Sequence, residues 1–177
     1  MHLRLLLLLL ISCALLTTGT FAQTTPTAPG LEFIYELQVT VDPALVVGET
    51  MHGTRRIIPI TGGTFSGPKL KGTIVNGGAD WQLVHPNGVA ELNALYTLKT
   101  DDGTLIYINN RGMRSATPET AQRIANGESV DPREYYFRAA PSFEAPPGKY
   151  DWLNRALFIS KGIRAPKGVT IQVWQVL

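Results

Sequence analysis

The chain reads as an all-β protein: a single antiparallel β-barrel of roughly eight to ten strands, with one short helix near residues 117–126. Three observations predict this. Short segments rich in β-branched and aromatic residues recur along the chain, each closed by a Gly, Pro, Asn or Asp turn signal. One stretch alone carries apolar residues at helical spacing beside capping residues. Six of the 17 glycines fall between Gly62 and Gly78, within alternating sequence, where bends and bulges let a sheet curl closed.

Residues 1–22 read as an export signal. Met1-His2-Leu3-Arg4 is a short basic start, Leu5–Leu10 with Ile11 is an apolar run, and Thr20-Phe21-Ala22 offers cleavage after Ala22. The run is too short for a membrane span, which needs roughly 20 residues. Leu10-Ile11-Ser12-Cys13 also has the form of a lipobox, so the alternative is a lipoprotein anchored through Cys13. The expected location is exported, periplasmic or secreted. Cys13 is the single cysteine, so the cleaved form has no disulfide framework, thiol nucleophile or thiolate metal site. Cleavage removes Arg4 from 16 basic residues and nothing from 14 acidic ones. That balance excludes an electrostatic nucleic-acid footprint.

Residues 23–30, QTTPTAPG, read as a flexible linker, and residues 31–177 as the single barrel domain. Leu31–Val41 is a long strand with Phe33, Tyr35, Leu37, Val39 and Val41 on one face. Thr54–Ile60 and Thr64–Ser66 are short strands with glycines at the bends, and Lys69–Asn76 and Asp80–His85 flank Gly77-Gly78. Pro86-Asn87-Gly88 and Asp101-Asp102-Gly103 are tight turns that make hairpins of Val89–Lys99 and Thr104–Asn110. Thr117 suits a helix cap, Pro118 the first helical position and Gly127 the C-terminal cap, with Ala121, Ile124 and Ala125 as the apolar stripe. This helix is expected to cover one end of the sheet. Glu134–Phe143, Tyr150–Lys161 and Val169–Leu177 complete the strands. A barrel of this size, calycin- or lipocalin-like in shape, removes exposed edges and can hold one small ligand.

The succession GGTFSGPKLKGTIVNGGADW, YTLKTDDGTLIYINNRG, EYYFRAAPSFE and YDWLNRALFI resembles the family known as domain of unknown function 3237. The resemblance runs from about Leu31 to Leu177 and implies a compact β-barrel without implying a reaction. One departure concerns charge. Many relatives carry D-A-R-Y where this chain has Asn93-Ala94-Leu95-Tyr96, so an acid and an arginine are missing here.

Motif chemistry is sparse. Gly62 and Gly67 have phosphate-loop spacing, but Pro68 stands where the lysine belongs and no long helix follows. His52 and His85 have no neighbouring ligand motif, and Asp101-Asp102-Gly103 lacks the alternating acids of a calcium loop, so neither metal nor cofactor is expected. There is no G-x-S-x-G elbow. What remains are polar residues at alternating strand positions: Asp80 with Gln82, Glu91 with Asn93, Tyr136 with Arg138, and Trp152 with Asn154. Polar groups beside aromatics are what a small-molecule pocket needs. A binding site is therefore expected from Asp80, Gln82, Asn93, Tyr136, Arg138, Trp152 and Asn154. Should it be catalytic, Asp80 or Glu91 would exchange the proton and Arg138 would stabilise an oxyanion. Three functions stay open: a barrel binding a small, partly apolar molecule; a cofactor-independent isomerase, cyclase or lyase using the same pocket; and a cell-envelope interaction protein with a filled barrel.

Overall fold

A computed structural model describes residues 26–165 and 168–177. The export-signal and lipobox readings lie outside these residues. Nine strands form in chain order: β1 (Leu31–Val41), β2 (Leu45–Thr50), β3 (Gly53–Ser66), β4 (Gly72–Val84), β5 (Val89–Thr100), β6 (Leu105–Ala116), β7 (Tyr135–Glu144), β8 (Phe158–Ala165) and β9 (Gly168–Val176). The helix α1 (Pro118–Ala125) lies between β6 and β7. The sheet runs β1-β9-β8-β7-β6-β5-β4-β3-β2, and β1 also pairs with β3. The second pairing closes eight strands into an antiparallel barrel and leaves β2 as a flap on β3.

Gly63 makes the closure possible. Its backbone lies at φ +133°, and a Cβ there would stand 2.0 Å from the Gln38 carbonyl oxygen of β1. The β3–β4 register shifts between Ile60 and Thr64, and the β4–β5 register between Val75 and Ala79. Thr54–Ile60 and Thr64–Ser66 are thus one bent strand, as are the two segments of β4. The expected glycine bends are bulges within long strands, which raise local twist without ending pairing.

The interior is stratified along the barrel axis. One end is packed solid: Leu37, Leu98, Ile106, Ile108 and Val173 have no solvent exposure. There Tyr35 meets Phe65 and Phe143 edge-on, and Phe143 meets Phe158 at 4.7 Å between ring centroids. Each buried side chain of this kind stabilises the fold by roughly 1.5–3 kcal/mol. β1 keeps its alternation only in part. A bulge at Ile34 turns Phe33 outward onto Trp174, while Tyr35, Leu37, Val39 and Val41 line the inside.

The segment Tyr150–Lys161 is not one strand. Pro146-Pro147-Gly148 delivers the chain into a 3-10 helix at Asp151–Arg155, and β8 starts at Phe158. Local hydrogen bonds favour that turn over a ladder: Asn154 Oδ1 accepts from the Ala145 N–H, and its amide donates to the Ala145 carbonyl, both at 2.8 Å. The turn buries Tyr150 and Leu153 under the packed end. At the other end α1 forms as its sequence predicts: the Thr117 hydroxyl accepts from the Thr120 N–H, Pro118 occupies the first turn, and Ile124 is buried against the core.

Candidate active site

The open end of the barrel differs in chemistry from the packed one. On β6 the inward series continues from Ile106 and Ile108 to Asn110 and Arg114, both buried. On β8 it runs from Phe158 and Ser160 to Arg164. On β4 it reaches Asp80 and Gln82. Small residues on β5 make room for these groups: Ala94 lies opposite Asn110, and Ala90 opposite Arg114. The result is a chamber of about 60 Å³ whose polar wall is Asp80, Gln82, Asn110, Arg114 and Arg164. Val39, Ile60, Leu92, Tyr96, Phe137 and Ile171 supply apolar wall. Val41, Ile58, Arg114 and Arg164 also border a cleft of about 450 Å³ in the barrel mouth, under Ile124 and Ala125 of α1. Arg56 and Asp42 lie on that cleft.

One hydrogen-bonded chain orders the polar wall. Arg56 Nε donates to Gln82 Oε1 at 2.9 Å, and Gln82 Nε2 donates to Asp80 Oδ2 at 2.6 Å. The Asn93 backbone N–H donates to Asp80 Oδ1 at 2.9 Å, so both carboxylate oxygens are engaged. Burial still wins: it raises the Asp80 carboxyl above its ordinary value despite these donors and the nearby Arg56 and Arg114 charges. Burial also lowers Arg56, Arg114 and Arg164, with Arg114 brought to about 10 by desolvation and by the like charges of Arg164 and Arg56. At that value Arg114 remains a cation at neutral pH. Among the described residues none of the three arginines forms an ion pair, and Arg164 Nε and Asn110 Oδ1 are buried without a hydrogen-bond partner.

The sequence-predicted set divides sharply. Asp80 and Gln82 line the chamber together. Glu91 and Asn93 point outward, because the period-two series of β5 places Leu92, Ala94 and Tyr96 inside. Glu91 contacts His85 at 2.7 Å, and both it and Asn93 border a shallow outer cleft with Arg55, Trp81 and Arg111. Tyr136 and Arg138 also face out, since Tyr135, Phe137 and Ala139 take the inner positions of β7. The Arg138 guanidinium instead lies over the Tyr136 ring at 5.3 Å and donates to the Phe137 carbonyl. Trp152 and Asn154 belong to the 3-10 helix at the packed end, where Trp152 packs near Phe158 under Lys69 and Asn154 braces Ala145. Arg56, Asn110, Arg114 and Arg164 were not foreseen. Their signal was parity: each of Asn110, Arg114 and Arg164 continues a series of apolar residues at every second position.

Comparison with known proteins places this architecture. The family model described as Protein of unknown function (DUF3237) matches residues 29–176. The chain belongs to the DUF3237 family. A UPF0311 protein of Rhodopseudomonas palustris (strain TIE-1) is 40% identical over 151 residues, spanning 84% of this chain and 99% of that protein. A crystal structure of a conserved protein of unknown function from Rhodopseudomonas palustris has a TM-score of 0.82 and 37% sequence identity, covering 87% of this chain and all of that one. More distantly, the hydroalkoxylation enzyme phnH of Penicillium herquei is 26% identical over 129 residues, 73% of this chain and 71% of that enzyme. The D-A-R-Y departure bears differently on the DUF3237 barrel now that its strands are placed. Asn93 and Leu95 border clefts outside the barrel, so no charge is missing from the chamber at these positions.

Proposed function

We propose that this DUF3237 barrel binds a small, partly apolar molecule at its α1 end, with a polar group held in the chamber. The supporting observation is the chamber itself. Two polar atoms of its wall, Arg164 Nε and Asn110 Oδ1, are buried without a hydrogen-bond partner beside apolar residues, an arrangement that the polar group of a bound molecule would satisfy. The cavity also speaks against a filled barrel that works only through its outer surface. Size sets the pose. Pockets for drug-sized molecules run to roughly 300–1,000 Å³, so a chamber of about 60 Å³ admits one end of a ligand and the 450 Å³ cleft receives the rest.

A second reading is a cofactor-independent proton-transfer enzyme. Asp80 favours it, because a carboxyl whose pKa is raised by burial holds or releases a proton nearer neutral pH than a solvated one. Similarity to a hydroalkoxylation enzyme agrees, since adding an O–H across a C=C bond needs only a proton delivered to carbon and one removed from oxygen. Asp80→Asn separates the two readings: a binder keeps its ligand affinity, and an enzyme loses turnover by roughly a hundredfold or more while still binding. The proposed location is exported. An intact mass beginning at Gln23 supports it, a diacylated Cys13 supports the lipoprotein alternative, and a mass that retains Met1 overturns both.

A further inference from the structure

The charge count at the chamber mouth goes further. Three arginines converge there against two carboxylates. Asp42 is exposed on the rim, where solvent screens it. Asp80 accepts from the Gln82 amide and the Asn93 N–H, and no arginine is among its hydrogen-bond partners in the described residues. Arg114 is only 6% exposed and makes neither an ion pair nor a side-chain hydrogen bond among the described residues. A cation so far withdrawn from water with no counter-charge in contact is costly to hold. The packed end fills its interior with aliphatic and aromatic side chains instead.

Arg114 and Arg164 border both the chamber and the cleft, so the charge lies where the two volumes meet. Arginine presents a planar fork of donors that matches an oxyanion bidentately. Resting on the pocket reading above, we infer that the ligand is an organic anion, whose carboxylate-like oxyanion sits between Arg114 and Arg164 and whose apolar body lies in the α1 cleft. The anion replaces the missing counter-charge and relieves the repulsion among Arg56, Arg114 and Arg164. Neutral molecules of the same shape gain the apolar contact alone.

Matched pairs of probes test this at pH 7: 2-naphthoate against 2-naphthalenemethanol, and octanoate against octanol. Binding is read by calorimetry on the purified chain. The carboxylate of at least one pair should bind tenfold or more tightly than its alcohol. Arg114→Gln and Arg164→Gln should each erase that ratio and leave the alcohol unaffected, while Arg138→Gln, on the outer face, should preserve it. Thermal melts identify which variants remain folded, and either arginine variant suffices. Equal binding of acid and alcohol overturns the anion inference and leaves the pocket reading standing. So does an acid preference that survives both arginine substitutions. Binding of none of the four below about 1 mM overturns both readings.

Discussion

Asp80 holds its proton more tightly than a solvated carboxyl because the barrel removes water faster than its donors replace it. The consequence for stability has a definite sign. Between the ordinary value of 3.8 and the raised one, the native state binds more protons than the unfolded chain, so stability falls as pH rises through that window. The difference in melting temperature between the parent and Asp80→Asn should therefore move against the parent from about pH 4 upward and then level off. A flat difference, or one that moves the other way, would mean that Asp80 is not the perturbed group. Two other acids act in the opposite sense and lower on the scale. Asp102 is held below its ordinary value by hydrogen bonds from Thr100, Lys149 and Thr104, and Asp131 is held down to about 2 by Arg133. Their stabilisation is complete above the ordinary carboxylate value and is lost as pH falls through the depressed ones. The two slopes are thus separable in one titration. Tyr150→Phe, which deletes the hydroxyl donor to Asp102, should cost about 1 kcal/mol in urea unfolding.

At the scale of elements, closure rests on where β1 meets β3. Gly63→Ala places a methyl 2.0 Å from the Gln38 oxygen at a backbone angle that L-residues avoid. It should destabilise the barrel by more than about 3 kcal/mol, whereas Gly103→Ala, at φ +89° with open space around it, carries the backbone strain without the clash and should cost about 1–2 kcal/mol. Equal losses at the two sites would remove the closure role from Gly63. Much of this level was legible. Turn chemistry located most strands and the cap located α1, because Asn-Gly, Asp-Gly and Thr-Pro impose local geometry whatever surrounds them. β2 escaped because six residues following Pro43 carry little periodic signal. The 3-10 helix escaped because Tyr150, Trp152 and Asn154 alternate like a strand, although Asn154 satisfies backbone locally. The site was half legible for a different reason. Alternation says which residues share a face and leaves open which face is inside; only the neighbouring apolar series decides that. Leu92 and Tyr96 turn Glu91 and Asn93 out of the barrel, and Phe137 turns Arg138 out.

Across the whole molecule, the barrel divides its labour by depth. The end around Tyr35, Phe143 and Leu153 supplies packing, and the end around Asp80 and Arg114 gives up apolar burial to hold charge. If that sacrifice serves a ligand, removing the charges together should not harm the fold. Replacing a buried charge cluster by apolar residues of similar volume is often neutral, or stabilising by about 1–4 kcal/mol, while removing one partner alone costs about 3–5 kcal/mol. Asp80→Leu alone leaves three arginines facing one another and should fall in the second class. Asp80→Leu combined with Arg114→Met should recover most of that loss in urea unfolding and reach or exceed parental stability. The same double variant should no longer distinguish 2-naphthoate from its alcohol. A double variant less stable than Asp80→Leu alone would assign the polar layer to the architecture. Recovery of stability with loss of discrimination would instead mark it as a device that the fold carries for its ligand.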